Sequence, residues 1–176
     1  MAEAAAASLA DRDIRKVIAS PLLRTQESAA PIAAQFGLDI ETDPRIIEPT
    51  NAFEGKRVQF GLPLLKQPAL WWAVRNPFQP SWGEPYTEIV ARMRAAIVDA
   101  FESVEDGEVA LVSHQLPIWM VHRSVLGAPL FHDPRHRRCS LSSITTFRRK
   151  DGRIVETGYN AAAASLLGAS KDEGAV

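Results

Sequence analysis

The sequence predicts an α/β protein with a parallel sheet, on three observations. Lys16–Ala19 and Val109–Val112 are short apolar runs bounded by polar or turn residues, as buried strands are. Each is followed by a stretch with helical spacing of apolar residues. The opening unit reads helix, strand, helix, strand, the order that layers helices on parallel strands.

Taken in order, Ala2–Asp11 is rich in Ala, Glu and Leu and is expected to be helical. Pro21 breaks the strand Lys16–Ala19 and fits the first turn of the next helix, where a missing N–H costs nothing. That helix presents Leu23, Ala30, Ala33 and Ala34 and stops at Gly37. Leu38–Thr42 alternates like an edge strand. From Pro44 to Gly83 prolines and glycines interrupt the chain, and a loop-rich insertion with a short helix over Leu64–Val74 is expected. Ile89, Val90, Met93, Ile97, Ala100 and Phe101 then recur at helical spacing. Asp106-Gly107 turns the chain into Val109–Val112, and a helix over Leu116–Leu126 stops at Gly127. Lys150-Asp151-Gly152 between Ser143–Phe147 and Arg153–Glu156 marks a hairpin. One domain over residues 1–160 is expected, with 161–176 a flexible tail.

Composition narrows the class. The chain has 176 residues, of which 46% are hydrophobic and 23% charged, enough for a substantial core and ordinary for a globular protein. A net charge of −1 argues against general nucleic-acid binding. The one cysteine, Cys139, cannot form an intrachain disulfide, and no Cys/His cluster has zinc-ligand spacing, so no metal or other cofactor is expected. No apolar run is long enough to cross a bilayer, and the first residues lack the basic region of a signal peptide. No membrane partner and a cytoplasmic location follow as expectations.

Two residues could carry chemistry. His114 closes a buried strand and precedes a helix, so it belongs at the carboxyl end of the sheet, where ligand crevices form and helix N–H groups favour anions. A packed strand-end histidine is the plain alternative. Arg24 stands in the equivalent place after the earlier strand, suited to bidentate contact with a phosphate. A surface ion pair with Glu27 or Glu48 is its alternative. The pair together favours a phosphate site. The basic loop Phe131–Arg138, with His132 and His136, reads as a solvated loop rather than as an electropositive rim. His122 lies two turns past His114, roughly 12 Å along the axis, too far to share its phosphate.

Ser20-Pro21-Leu22-Leu23-Arg24-Thr25-Gln26-Glu27-Ser28-Ala29 resembles the Ser-Pro-Leu-x-Arg-Ala-x-x-Thr-Ala segment of the histidine phosphatase (phosphoglycerate mutase-like) superfamily. Asp43–Glu48 followed by Phe53-Glu54-Gly55 resembles its acidic segment. Gly83-Glu84-Pro85, with Arg92 downstream, resembles its Gly-Glu-Ser and later arginine. Val112-Ser113-His114 resembles its second-histidine motif, with Gln115 where glycine is usual. The ordered match runs from about Lys16 to Phe147.

The resemblance implies a three-layer sandwich, a mostly parallel sheet with helices on both faces. It implies phosphoryl transfer through a phosphohistidine, with a small phosphorylated substrate or inorganic phosphate as ligand. Arg24 and the backbone N–H of Gln115 would hold the phosphoryl oxygens, and His114 would be the second histidine that stabilises charge. Glu48 is chosen as the general acid, with Glu54 and Glu84 as runners-up. Hydrolysis is favoured over mutase activity, because few lysines and arginines lie between Pro44 and Gly83 to hold a second phosphate. Trp71, Trp72 and Trp82 could line a site for a bulky organic phosphate, or belong to the core.

One departure is large: no Arg-His-Gly, the family's nucleophile motif, occurs in the 176 residues. The helix expected over Ala2–Asp11 matches the end of the portion that precedes the Ser-Pro-Leu segment in the family. The chain therefore reads as beginning late, and its sheet is expected to lack the family's first central strand. Such a chain would be inactive, or a non-catalytic phosphate-binding module that covers its open sheet as a homodimer.

Overall fold

The computed structural model describes residues 1–49, 83–133 and 136–169, with side chains as far as Leu166. The helix expected over Leu64–Val74, Glu54, and the tryptophans Trp71, Trp72 and Trp82 lie outside the described residues. The elements, in order, are α1 (Ala2–Ala7), β1 (Ile14–Ala19), α2 (Leu23–Phe36), β2 (Ile40–Thr42), a 3-10 turn (Pro44–Ile46), α3 (Tyr86–Glu102), β3 (Glu108–Val112), α4 (Gln115–Val125), β4 (Ile144–Lys150), β5 (Arg153–Asn160) and a second 3-10 segment (Ala164–Ala169).

β1 is the middle of a parallel sheet of order β2-β1-β3. Its side chains alternate between two helical layers, as the two-residue period of a strand requires. Val17 and Ala19 pack with Ala6, Leu9, Ala29, Ile32 and Ala33 of the α1/α2 side. Ile18 packs with Ile89, Met93, Ile97, Trp119, Met120 and Val121 of the α3/α4 side. β3 repeats the division, with Ala110 and Val112 on the first side and Val109 and Leu111 on the second. The described residues thus form the α/β sandwich that the sequence predicts.

β4 and β5 pair antiparallel around Asp151 and Gly152, both with positive φ (51° and 72°), the backbone that a two-residue hairpin turn requires. Apolar residues of the hairpin enter both layers. Ile144 joins the α1/α2 side, while Phe147 and Ile154 join the α3/α4 side. The hairpin therefore continues the sandwich, yet among the described residues neither β3 nor β4 has a strand on its other edge. A cavity of about 430 Å³ lies against both, lined by Glu108 and Val109 of one and Thr146–Arg149 of the other.

Element ends differ from expectation in several places. α1 stops at Ala7, with the Ser8 hydroxyl donating to the Ala5 carbonyl, and turns carry the chain to β1. α2 begins at Leu23, not at Pro21, because Leu22 takes the extended N-cap conformation. The Thr25 hydroxyl, within reach of the Ser20 and Leu22 carbonyls at 2.9 and 2.6 Å, holds that corner. In the tail expected from residue 161, Ala163 is fully buried ahead of the second 3-10 segment.

Candidate functional site

Parallel pairing brings the site together. Ala19 of β1 is in register with Val112 of β3, and the Ser20 N–H donates to the Val112 carbonyl at 3.0 Å. The two carboxyl ends are therefore level, and Ser20 and His114, 94 residues apart in sequence, touch. His114 is the N-cap of α4, with an extended backbone, so its ring sits where the strand ends and the helix N–H groups begin. The Ser113 hydroxyl donates to the Ile46 carbonyl at 2.7 Å, tying the strand end to the turn that leads to Glu48.

His114 is 6% exposed. The Arg24 Nε–H donates to its Nδ1 at 3.3 Å, and a guanidinium can only donate, so Nδ1 is an acceptor. The proton then lies on Nε2, which donates to the Ser20 hydroxyl oxygen at 2.8 Å. This neutral tautomer agrees with the electrostatics. Burial first, then the positive charges of Arg24 and Arg92, push the His114 pKa down from 6.5 to about 4. The nearest Glu48 oxygen is 3.6 Å from Nδ1, outside hydrogen-bond reach.

The predicted residues thus fall into two groups. Arg24, His114 and Glu48 converge. Neither alternative considered for Arg24 occurs among the described residues, where no carboxylate lies within 4 Å of its guanidinium. The Gln115 side chain is engaged elsewhere: its Nε2 donates to the Cys139 carbonyl at 2.9 Å, and its Oε1 accepts from Arg137. Only its backbone N–H, at the first position of α4, is placed for an anion. Glu84 holds both oxygens against Arg92, at 2.8 Å from Nε and from Nη2, and Arg92 also donates to the Arg45 carbonyl. Glu84 is thereby committed to fixing Arg92 near His114.

Sequence reasoning left Ser20 without a role and placed the basic loop in solvent. The loop divides instead: His136 is exposed, whereas Arg137 is half-buried and donates from Nε to His132 at 2.9 Å. His122, as expected, serves elsewhere, stacked on Trp119 and bonded to Glu156 at 2.5 Å. Among the described residues no three His, Cys, Asp or Glu side chains group so as to hold a metal ion. No described helix is long and apolar enough to cross a membrane.

Comparison with known proteins decides the family. The model of the histidine phosphatase superfamily, branch 1, matches residues 1–162. The chain belongs to this superfamily. An uncharacterized protein of Mycobacterium tuberculosis is 51% identical over 163 residues, covering 93% of this chain and 81% of its own length. A probable phosphoglycerate mutase GpmB of Enterobacter is 32% identical, over 74% of this chain and 63% of its own. The α-ribazole phosphatase of Shigella flexneri has the same fold, with a TM-score of 0.70 at 20% identity, over 92% of this chain and 80% of its own. In this member of the superfamily the Ser20–Ala29 and Val112–His114 segments follow or close the two strands at whose ends Arg24 and His114 meet.

Proposed function

We propose that the crevice of Arg24, His114 and Glu48 binds the phosphoryl group of a phosphomonoester, and that this chain carries the binding half of a phosphatase site. One observation carries the reading. A buried neutral histidine faces a guanidinium that no described carboxylate neutralises, at two level strand ends and at a helix N-terminus. A dianion entering between Arg24 and His114 would exchange the weak 3.3 Å contact for charge-assisted bonds and draw a proton to Nδ1. Glu48, beside that nitrogen, is the proposed proton donor to the leaving oxygen. The nucleophile that the family takes from Arg-His-Gly is missing from the 176 residues, and His122, held by Glu156, is no substitute. The chain is therefore proposed to bind without turning over.

Calorimetry with inorganic phosphate tests this. Binding in the millimolar range or tighter is expected, with Arg24→Gln weakening it about 10- to 100-fold, the worth of a charged hydrogen-bond pair. No phosphate binding would refute the site. Release of p-nitrophenol from its phosphate ester, lost in His114→Gln, would refute the claim of inactivity.

A second reading rests on the edges of β3 and β4 that no described strand covers. In it the chain is a non-catalytic module whose second copy covers them. Sedimentation decides: a fully stable monomer counts against it.

A further inference from the structure

We propose that Ser20 is the positioning residue of the phosphate site: its buried hydroxyl takes the His114 Nε2–H and so presents the opposite ring nitrogen to the anion. This rests on the phosphate site proposed above and names the residue on which its histidine depends.

Ser20 is fully buried, and its backbone is tied down on both sides. Its N–H donates to the Val112 carbonyl at 3.0 Å, which joins it to β3. Its carbonyl accepts from Gln26 Nε2 at 2.7 Å and has the Thr25 hydroxyl within reach at 2.9 Å, both on α2. Gln26 Nε2 also meets the Thr42 hydroxyl of β2 at 3.3 Å. The Ser20 oxygen is therefore a fixed point at the strand end. Two N–H groups converge on it, from His114 at 2.8 Å and from Leu22 at 3.5 Å, so it serves as an acceptor. With Nε2 turned to Ser20, Nδ1 on the other edge of the ring lies 3.3 Å from Arg24 Nε and 3.6 Å from Glu48.

Among the described residues two hydrogen bonds hold the ring, one from Arg24 and one to Ser20. An entering phosphoryl group competes for the first, because it draws on the same guanidinium. The second remains. Once Nδ1 has taken its proton the ring is a cation, and the bond from Nε2–H to Ser20 becomes charge-assisted, roughly twice as strong as the neutral one. Ser20 thus contributes more to the bound state than to the free one, and that difference appears as affinity. Its removal would leave a buried Nε2–H without this acceptor in the charged form, where the loss costs most.

The same geometry excludes Ser20 as a nucleophile. Nε2 already carries a proton, so it does not take one from the hydroxyl as the base of a Ser–His pair does. A fully buried oxygen is also closed to a phosphorus atom.

Two measurements test the assignment: calorimetry with inorganic phosphate at neutral pH, and NMR of the His114 ring nitrogens under saturating phosphate. Ser20→Ala should weaken phosphate binding about five- to tenfold, as one charged hydrogen bond predicts. With phosphate bound, the variant's ring should lose its second proton about one pH unit below that of the unaltered protein. Arg24, Arg92 and Glu48, the charged groups around the ring, are the same in both proteins, so the difference reads Ser20 alone. Ser20→Cys, close in size but a poorer acceptor, should fall between the two, and it carries the same readouts should Ser20→Ala not fold. Weakened binding with an unshifted ring titration overturns the proposal, since Ser20 would then only support the frame. So does hydrolysis of p-nitrophenyl phosphate that Ser20→Ala abolishes, which would make the serine a nucleophile. Failure of the unaltered protein to bind inorganic phosphate overturns the phosphate site and this inference together. Phosphate affinity unchanged in the serine variants sinks only this one.

Discussion

Acidification tests whether His114 is held neutral. The ring is buried, and its pKa stands at about 4 against 6.5 in the absence of burial and of Arg24 and Arg92. Between these values the unfolded chain binds more protons than the folded one, so folding stability rises with pH across this window and is lost as pH falls. Above about pH 7 the ring is neutral in both states and the effect vanishes. At pH 5 the loss is about 2 kcal/mol, and at pH 4 about 3 kcal/mol. Other groups titrate nearby. His132 is depressed by burial, and the Arg45 guanidinium holds the Asp43 carboxyl low, so both add to acid sensitivity. His114→Gln isolates the effect, because the variant keeps those groups and loses only the one ring. Urea denaturation of both proteins from pH 7.5 to 4.5 is the assay. The unaltered protein should lose about 2 kcal/mol more than the variant by pH 5. Saturating phosphate should shrink that difference, since a bound anion favours the imidazolium. Parallel profiles would refute the argument, as would an imidazole resonance of His114 that titrates at or above pH 6.5.

Two further predictions concern the frame of the site. His122 and Arg138 both bind Glu156, and the His122 and Glu156 side chains are each 11% exposed, so this carboxylate pins the hairpin to α4. Glu156→Gln should cost about 2 kcal/mol in urea denaturation, whereas Glu102→Gln, which removes an exposed 3.4 Å pair with Arg149, should cost under about 0.5. At Gly107, φ is +80° and an added Cβ would lie 2.5 Å from Arg15 Cγ and 2.8 Å from the Asp13 carbonyl oxygen. Gly107→Ala should therefore lower the melting temperature clearly more than Gly152→Ala, where φ is +72° but nothing lies within 4 Å.

What the sequence made legible is what periodicity and special backbone positions encode. The unbroken apolar run Val17–Ala19 announced a buried strand, whose side chains the structure divides between two helical layers, and Asp151-Gly152 announced its turn, because few residues tolerate two successive positive φ values. Arg24 and His114 were legible for the same reason: each follows a strand that the pattern locates, and parallel register then makes them neighbours. The start of α2 was not. Pro21 satisfies the rule for a first helical residue, but the hydroxyl of Thr25 holds an extra extended residue at Leu22. Gln115 was read from its place after His114, where a backbone N–H meets an anion. Its side chain answers to Cys139, 24 residues on, and no local rule sees that.

The basic loop shows the limit most clearly. His136, Arg137 and Arg138 are consecutive and all polar, so composition assigns all three to solvent. Packing gives them three fates. The His136 side chain is 82% exposed. Arg138 lies over the Tyr159 ring and pairs with Glu156 of β5. Arg137 turns to His132 and Gln115, beside the site. The two arginines are sorted by partners on other elements: β5 for Arg138, and the first residue of α4 for Arg137. The buried His132 is the one clue within the loop itself. A neutral imidazole whose Nδ1–H is given to the backbone leaves one lone pair, and the donor that reaches it is five residues away. A histidine so placed fixes which member of a basic run turns inward, and that choice puts Arg137 rather than its neighbours against Gln115, the residue after His114.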